Sequence, residues 1–307
     1  MHKLINKDCL ELLKALPDNS IDLVLTDPPY YIGFDGGKGW DSQWKTEQDY
    51  LDWCQQWTAE CVRVLKPEKC LYVWGTTKTD TFLKYKLNVL NSFSDMTYQN
   101  WIIWSYDWGG RPKNKFPRKH EDLLMYSKGK EFDFFAEQVM VERAVKTDMN
   151  TQRKKNLIKK HLDPEGKTFC EKDLHSWQKY KYDKLTTEEL NNELEKLLKK
   201  EVKFAAGKIP TDVWNKNNHT TSAEYCRWHP TQKPLELLER VIKAHTKEGD
   251  IVLDIFSGSG STMVACQNTG RKFVGSELDN EYYTQSIERF EKLTGTSYVG
   301  HDKKNVS

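Results

Sequence analysis

The chain has 307 residues, enough for a sizeable core in one large domain or two ordinary ones. Its 47 Lys and Arg against 45 Asp and Glu leave a formal net charge of only +2. That balance excludes a polybasic coat, so any nucleic-acid role needs a local basic face.

The first 130 residues alternate in an α/β manner. Lys3 to Ile5 reads as a short strand and Leu10 to Leu16 as a short helix ending at Pro17. Ile21 to Thr26 (IDLVLT) is a compact apolar run with β-branched members, the pattern of a buried parallel strand. Glycines 33, 36, 37 and 39 then mark a mobile loop. From Glu47 to Leu65 the apolar positions follow helical spacing, and Pro67 is expected to stop that helix. Leu71 to Trp74, Trp101 to Trp104 and Leu123 to Tyr126 are further strands. Between about 131 and 225 apolar runs shorten and charge rises, which marks an inserted or appended region. Within it, Thr186 and Glu189 form a capping-box signature ahead of a helix with Leu190, Leu194, Leu197 and Leu198 on one face. From Pro234 the alternation resumes: helix Leu235 to His245, strand Ile251 to Ile255, helix Ser261 to Gln267, strand Phe273 to Ser276 and helix Asn280 to Leu293. The tail from Gly295 is polar, and frayed ends are expected there. No stretch approaches the roughly 20 apolar residues of a membrane span, and the start, MHKLINKDCL, lacks a signal-peptide core. Seven scattered cysteines without a CxxC pair disfavour a disulfide framework and a zinc site. His219, His229 and His245 make no convincing metal set either. A soluble, reduced, cytoplasmic protein without a metal is the expectation.

Two elements carry chemistry. The first, Asp254-Ile-Phe-Ser-Gly-Ser-Gly-Ser-Thr262, follows an apolar strand and opens a helix, where a glycine turn lets backbone approach a ligand. Glu277 ends the next strand 19 residues beyond Gly258, the spacing at which a carboxylate meets a ribose hydroxyl. Met263 replaces the third glycine of the dinucleotide fingerprint, which disfavours a pyrophosphate and suits an adenosine ligand. A tight turn followed by a surface Glu is the plain alternative. The second element, Asp27-Pro-Pro-Tyr30, follows IDLVLT. Two prolines remove two backbone donors, so the Asp27 carboxylate and the Pro28 carbonyl form an acceptor-only cluster beside the Tyr30 ring. Such a cluster suits the exocyclic amino group of a flat base, with Tyr30 stacking on it. Its plain alternative is a rigid turn with a core tyrosine.

Together these elements resemble the β group of S-adenosylmethionine-dependent amino-DNA methyltransferases, over about residues 1 to 130 and 225 to 293. His229-Pro-Thr-Gln-Lys-Pro234 matches the element ahead of the glycine loop, which lies near the methionine part of the cofactor. The resemblance thus implies cofactor roles for His229, Thr231 and Lys233, for Asp254, Phe256, Gly258, Gly260, Ser261 and Thr262, and for Glu277. Asp8 and Cys9 are similar to the pair flanking the adenine, and His120-Glu121 resembles an element near the target base. Ile255 departs from the proline common in the family's glycine loop. The implied fold is a Rossmann-like α/β sheet of order 3-2-1-4-5-7-6, circularly permuted so that the cofactor loop comes late. The implied organisation is a catalytic part over 1–130, a target-recognition region over 131–225 and a cofactor part over 226–307.

The implied reaction is direct methyl transfer from S-adenosylmethionine to an amino group of a base flipped out of double-stranded DNA, with Asp27, Pro28, Pro29 and Tyr30 at the target. Adenine N6 is favoured over cytosine N4, because the family's cytosine members more often carry Ser where this chain has Asp27. A non-catalytic nucleic-acid-binding relative, and a methyltransferase for another planar amide or amine, are the remaining classes. Five basic residues without an acid, Arg111, Lys113, Lys115, Arg118 and Lys119, form the candidate DNA contact, and Arg143 to Lys181 adds eleven basic against five acidic residues. The glycine-rich 31 to 40 loop, with Tyr31 and Trp40, is a candidate cover for the flipped base. A homodimer, and a cognate restriction endonuclease that is not stably bound, stay open.

Overall fold

The computed structural model describes residues 2–110, 112–141, 185–205, 208–216 and 222–300. Arg111, His219 and the basic stretch from Arg143 to Lys181 lie outside the described residues.

The apolar runs become strands of one sheet. β1 (His2–Ile5) leads to α1 (Cys9–Lys14), which Asp8 caps by accepting the Leu10 N–H at 2.8 Å. β2 (Ile21–Thr26) is buried along its whole length, as a central strand covered on both faces must be. α2 (Glu47–Val64) starts at a capping box between Thr46 and Asp49. It gives way directly to β3 (Leu65–Gly75), so Pro67 lies inside a strand rather than ending the helix. Its effect is felt one residue earlier, because the residue before a proline is driven to extended backbone. A short helix, α3 (Thr81–Lys84), widens into a π turn over Tyr85–Val89. β4 (Met96–Ser105) and β5 (His120–Lys128) form a hairpin longer at both ends than its apolar centres indicate. β6 (Val213–Asn215), which the short polar sequence does not betray, adds an edge strand. α5 (Leu235–His245), β7 (Ile251–Asp254), α6 (Ser261–Asn268), β8 (Lys272–Ser276) and α7 (Asn280–Thr294) complete the alternation. No helix among the described residues is long and apolar enough to cross a membrane.

The sheet has eight strands in the order β1-β8-β7-β2-β3-β5-β4-β6. The pairs from β1 to β3 are parallel, β5 is antiparallel to both β3 and β4, and β6 is parallel to β4. Alternation along the strands builds two cores. Val24, Leu71 and Val73 pack with Trp57 of α2 and Leu12 of α1 on one face. Leu23, Leu25, Tyr72 and Trp74 pack with Leu238 and Val241 of α5 and Met263 of α6 on the other. The carboxyl ends of all five parallel strands, β1, β2, β3, β7 and β8, therefore point the same way, where open α/β sheets bind ligands. β5, antiparallel, begins at that end: Asp122 is opposite Gly75, so Glu121 lies just past the last residue of β3.

Contacts divide the chain into two compact units, Met1–Val139 with Thr211–Ser307, and Met140–Pro210. The second contains α4, the helix Thr187–Ala205. Its capping box forms: the Glu189 N–H donates to Thr186 Oγ1 at 3.3 Å and the Thr186 N–H to Glu189 Oε2 at 2.8 Å.

Trp57 is fully buried and meets Tyr85 and Phe256 at ring-centroid separations of 5.7 and 5.6 Å, tying α2 to the glycine loop after β7. Trp57→Ala is expected to lower folding stability by about 3–5 kcal/mol, read as a fall in the urea midpoint. A loss under about 1 kcal/mol would show that this face of the sheet does not depend on it.

Candidate active site

The strand ends enclose a cavity of about 1150 Å³. Asp27, Pro28, Pro29 and Tyr30 border it, as does every cofactor residue that the motifs predict except Gly260. Gly260 instead shapes the turn, at φ +72 and packed so tightly that a Cβ would lie 2.9 Å from that of Ser286.

On the glycine-loop side, Asp254 is the anchor. Its Oδ1 accepts from Thr26 Oγ1 at 3.1 Å and the Phe256 N–H at 3.2 Å, and its Oδ2 from Thr262 Oγ1 at 2.6 Å. One buried carboxylate thereby joins the end of β2 to the loop after β7 and the start of α6. Burial pushes its carboxyl up to about 6, against those hydrogen bonds. Gly258 has φ +50, and a Cβ there would lie 2.7 Å from His229 Nε2, so only glycine lets the loop pass. Burial, followed by the charges of Lys233, Arg289 and Lys38, lowers His229 to about 3, and its ring is neutral at pH 7. Glu277 accepts the Gly258 N–H on Oε2 at 2.7 Å and the Asp279 N–H on Oε1 at 2.9 Å. Each oxygen keeps a lone pair for a further donor such as a ribose hydroxyl. Burial raises this carboxyl to about 7. Ser257 Oγ is buried against the cavity without a hydrogen-bond partner among the described residues, a polar atom that a bound ligand would satisfy. Asp8 and Cys9 border the same end, where burial raises the Cys9 thiol to about 12. Phe256 and Trp53, 5.4 Å apart by ring centroid, give it apolar walls; Trp53 reads in sequence only as a core position of α2.

On the other side, Asp27 Oδ1 accepts from the Tyr30 hydroxyl at 2.5 Å and Oδ2 from Lys233 Nζ at 2.5 Å. Lys233 thus meets the Asp-Pro-Pro-Tyr turn while bordering the cavity that the glycine loop also lines. Its Nζ also reaches Glu121 Oε2 at 3.2 Å and lies 5.5 and 5.4 Å from the ring centroids of Tyr30 and Trp74. Burial works against the Lys233 charge, yet the carboxylates of Asp27 and Glu121 hold its ammonium above the usual lysine range. Burial shifts Glu121 upward. The Pro29 carbonyl accepts from the Tyr50 hydroxyl at 2.8 Å.

The loop after Tyr30 is tied down rather than free. Asp41, only 1% exposed, accepts four backbone N–H groups, from Tyr30 and Tyr31 on Oδ1 and from Ile32 and Phe34 on Oδ2, at 2.6 to 3.0 Å. Lys38 pairs with Asp279 and Glu281 at 2.9 and 2.8 Å. Trp40 borders the cavity, whereas Tyr31 stacks on Tyr50 at 5.4 Å and is taken up by the core. No motif announces Asp41, whose partners are backbone amides that any sequence supplies.

Of the basic run, Arg118 borders the cavity and donates to Thr77 Oγ1 at 2.8 Å, with Asp122 at 3.2 Å, and Lys119 bonds the Asp107 carbonyl. Lys113 and Lys115 are exposed, and Phe116 between them and Arg118 is 98% exposed.

The profile of the family described as DNA methylase, the N6/N4 type, matches residues 21–288. The chain belongs to this family. The methylase is 31% identical to DNA adenine methyltransferase YhdJ of Escherichia coli over 94% of this chain and 82% of that protein. It is 30% identical to type II methyltransferase M.HpaI of Haemophilus parainfluenzae over 94% and 74% of the two chains. Among solved structures, the cytosine-N4-specific PvuII DNA methyltransferase matches at TM-score 0.61, 17% identity and coverage of 95% and 89%. The M1.HpyAVI–SAM complex matches the methylase fold at TM-score 0.52, 20% identity and coverage of 94% and 100%.

Asp254 and Glu277 give the methylase a defined pH response. Both folded carboxyls lie above their usual values of 3.8 and 4.5, so the folded chain holds protons that the unfolded chain has released. Stability without ligand should then fall as pH rises from about 4 to about 7. Glu277→Gln should flatten that fall in urea midpoints taken across the window; an unchanged slope would contradict the assignment.

Proposed function

We propose that the protein is a site-specific DNA methyltransferase that transfers a methyl group from S-adenosyl-L-methionine to the N6 amino group of adenine in double-stranded DNA, with the base turned out of the duplex. The observation that carries this reading is the common cavity of two groups: the acceptor cluster at Asp27 and Pro28, and the glycine loop with Glu277. The residues fit the cofactor. Glu277 would take the ribose hydroxyls, the Gly258 turn allows close approach, Ser257 Oγ gains a partner, and Phe256 with Trp53 offers apolar walls to the faces of the adenine ring. When bound, S-adenosylmethionine supplies an electrophilic methyl group on a sulfonium. The observed strand order supports the permuted arrangement, with β7 and β8 as strands 1 and 2, β1 as strand 3 and β2 as strand 4.

The chain's own contribution is positioning and fixed electrostatics. The lone pair of an adenine amino group is delocalised into the ring, so the nitrogen is a weak nucleophile. Asp27 and the Pro28 carbonyl accept its two hydrogens, which localises the lone pair and fixes its direction. Once the methyl group is attached the nitrogen is cationic and gives up a proton to solvent water, so Asp27 acts as an acceptor and need not be a strong base. Tyr30, its hydroxyl held by Asp27, presents a ring to the flipped base, and stacking offsets part of the few kcal/mol that unstacking costs. The adenine reading rests on Asp27, at the position where cytosine-specific members more often have Ser. Lys113 and Lys115 are free to meet phosphates, whereas Arg118 and Lys119 hold the loop in place. The Met140–Pro210 unit is the candidate for reading sequence.

Asp27→Ala and the isosteric Asp27→Asn should each lower methyl incorporation into DNA by about 100-fold or more. Cofactor binding by calorimetry should change little. Turnover retained in both variants would sink the role of Asp27.

A further inference from the structure

One ammonium serves two carboxylates in the half of the cavity that holds the Asp-Pro-Pro-Tyr turn. Lys233, 5% exposed, reaches Asp27 Oδ2 at 2.5 Å and Glu121 Oε2 at 3.2 Å. The Tyr30 hydroxyl spans the same pair, 2.5 Å from Asp27 Oδ1 and 3.4 Å from Glu121 Oε2. The third Lys233 N–H meets the Thr231 carbonyl at 3.3 Å, so all three donors of the ammonium have acceptors in the chain. Two carboxylates that share one ammonium and one hydroxyl repel each other, and the ammonium offsets that repulsion. With Lys233 the trio carries a net charge of −1 and Asp27 keeps its acceptor lone pairs.

We infer that Lys233 is a positioning residue of the transfer reaction: its ammonium offsets the Glu121 charge beside Asp27 and aims the Asp27 carboxylate, so that Asp27 meets the target amino group purely as an acceptor. A protonated Asp27 would present an O–H to the amino group and lose the contact that localises its lone pair. The other titratable and charged groups facing the trio are Tyr30 with Tyr50 behind it, Tyr106, Asp254, the neutral ring of His229, and Arg118 paired with Asp122. Among the described residues, Lys233 is the one cation within ion-pair distance of Asp27. The upward shift of the Lys233 ammonium agrees with a permanent charge there. This role rests on the methyl-transfer reading above.

The test compares wild type, Lys233→Met and the double variant Lys233→Met/Glu121→Gln. Single-turnover methyl incorporation into unmethylated genomic DNA is followed from about pH 5.5 to about pH 9, alongside the calorimetric Kd for S-adenosylmethionine. In Lys233→Met the two carboxylates lose their shared cation; the rate near neutral pH should fall about 100-fold, the acidic limb should move up by a unit or more, and the Kd should stay within about 3-fold. The double variant returns the trio to −1, so its acidic limb should return and its rate should exceed that of the single variant by about 10-fold. A Lys233→Met protein with the wild-type pH profile overturns the role. So does a Kd weakened by about 10-fold or more with the rate at saturation intact, which makes Lys233 a cofactor contact. A double variant no faster than the single also overturns it. A wild-type protein that transfers no methyl group to DNA overturns the functional reading and this role with it.

Discussion

A lysine ammonium closed off from water must be met by acceptors, and Lys233 has three. Asp27, its nearest partner, is 206 residues away in sequence, and Glu121 belongs to a third segment. Burying an unpaired charge costs several kcal/mol, so these segments can come together only with the polar groups in register. The sheet supplies that register. Asp27 follows β2, Glu121 opens antiparallel β5 beside the end of β3, and Lys233 lies two residues before α5, which returns along the sheet into β7. Shifting any of these strands by one residue would send its side chain to the opposite face.

The same device recurs around the cavity. Asp254 binds three donors from three segments, Asp41 gathers four amides of the loop after Tyr30, and Glu277 holds the glycine loop to the end of β8. In each case a carboxylate is removed from water and repaid by donors whose positions then become fixed. Loops that would otherwise sample many conformations are thereby held ready for ligands, which lowers the ordering cost on binding. Under the proposed chemistry this matters most at Asp27. A nucleophile that is poor by electronic structure depends on direction, and direction depends on acceptors that do not move.

Much of the fold is legible in the sequence, because strands buried on both faces must be apolar throughout. IDLVLT marks β2 to the residue, and Leu235 to His245 marks α5 equally well. Element ends are less legible where neighbours rather than local pattern decide them. β3 extends back through Pro67 because Leu65 pairs with Ile21 of β2, and β6 exists only because β4 offers an edge. The site divides in the same way. Asp27, Asp254, Gly258 and Glu277 sit in motifs whose spacing carries their chemistry. Asp41, Ser257 and Trp53 do not, since their partners are backbone amides, a ligand-facing wall and a distant phenylalanine. Lys233 is legible as a motif residue but not as the partner of Asp27, because a pairing across 206 residues is set by topology.

Under the proposed function, the Asp27 side of this cavity receives the amino group of adenine. Treating unmodified duplex DNA with the protein and S-adenosylmethionine, then mapping each modified base, tests that claim most directly. The expected product is N6-methyladenine confined to one short recognition sequence. N4-methylcytosine in its place, or DNA left without any methylated base, would contradict the proposed function.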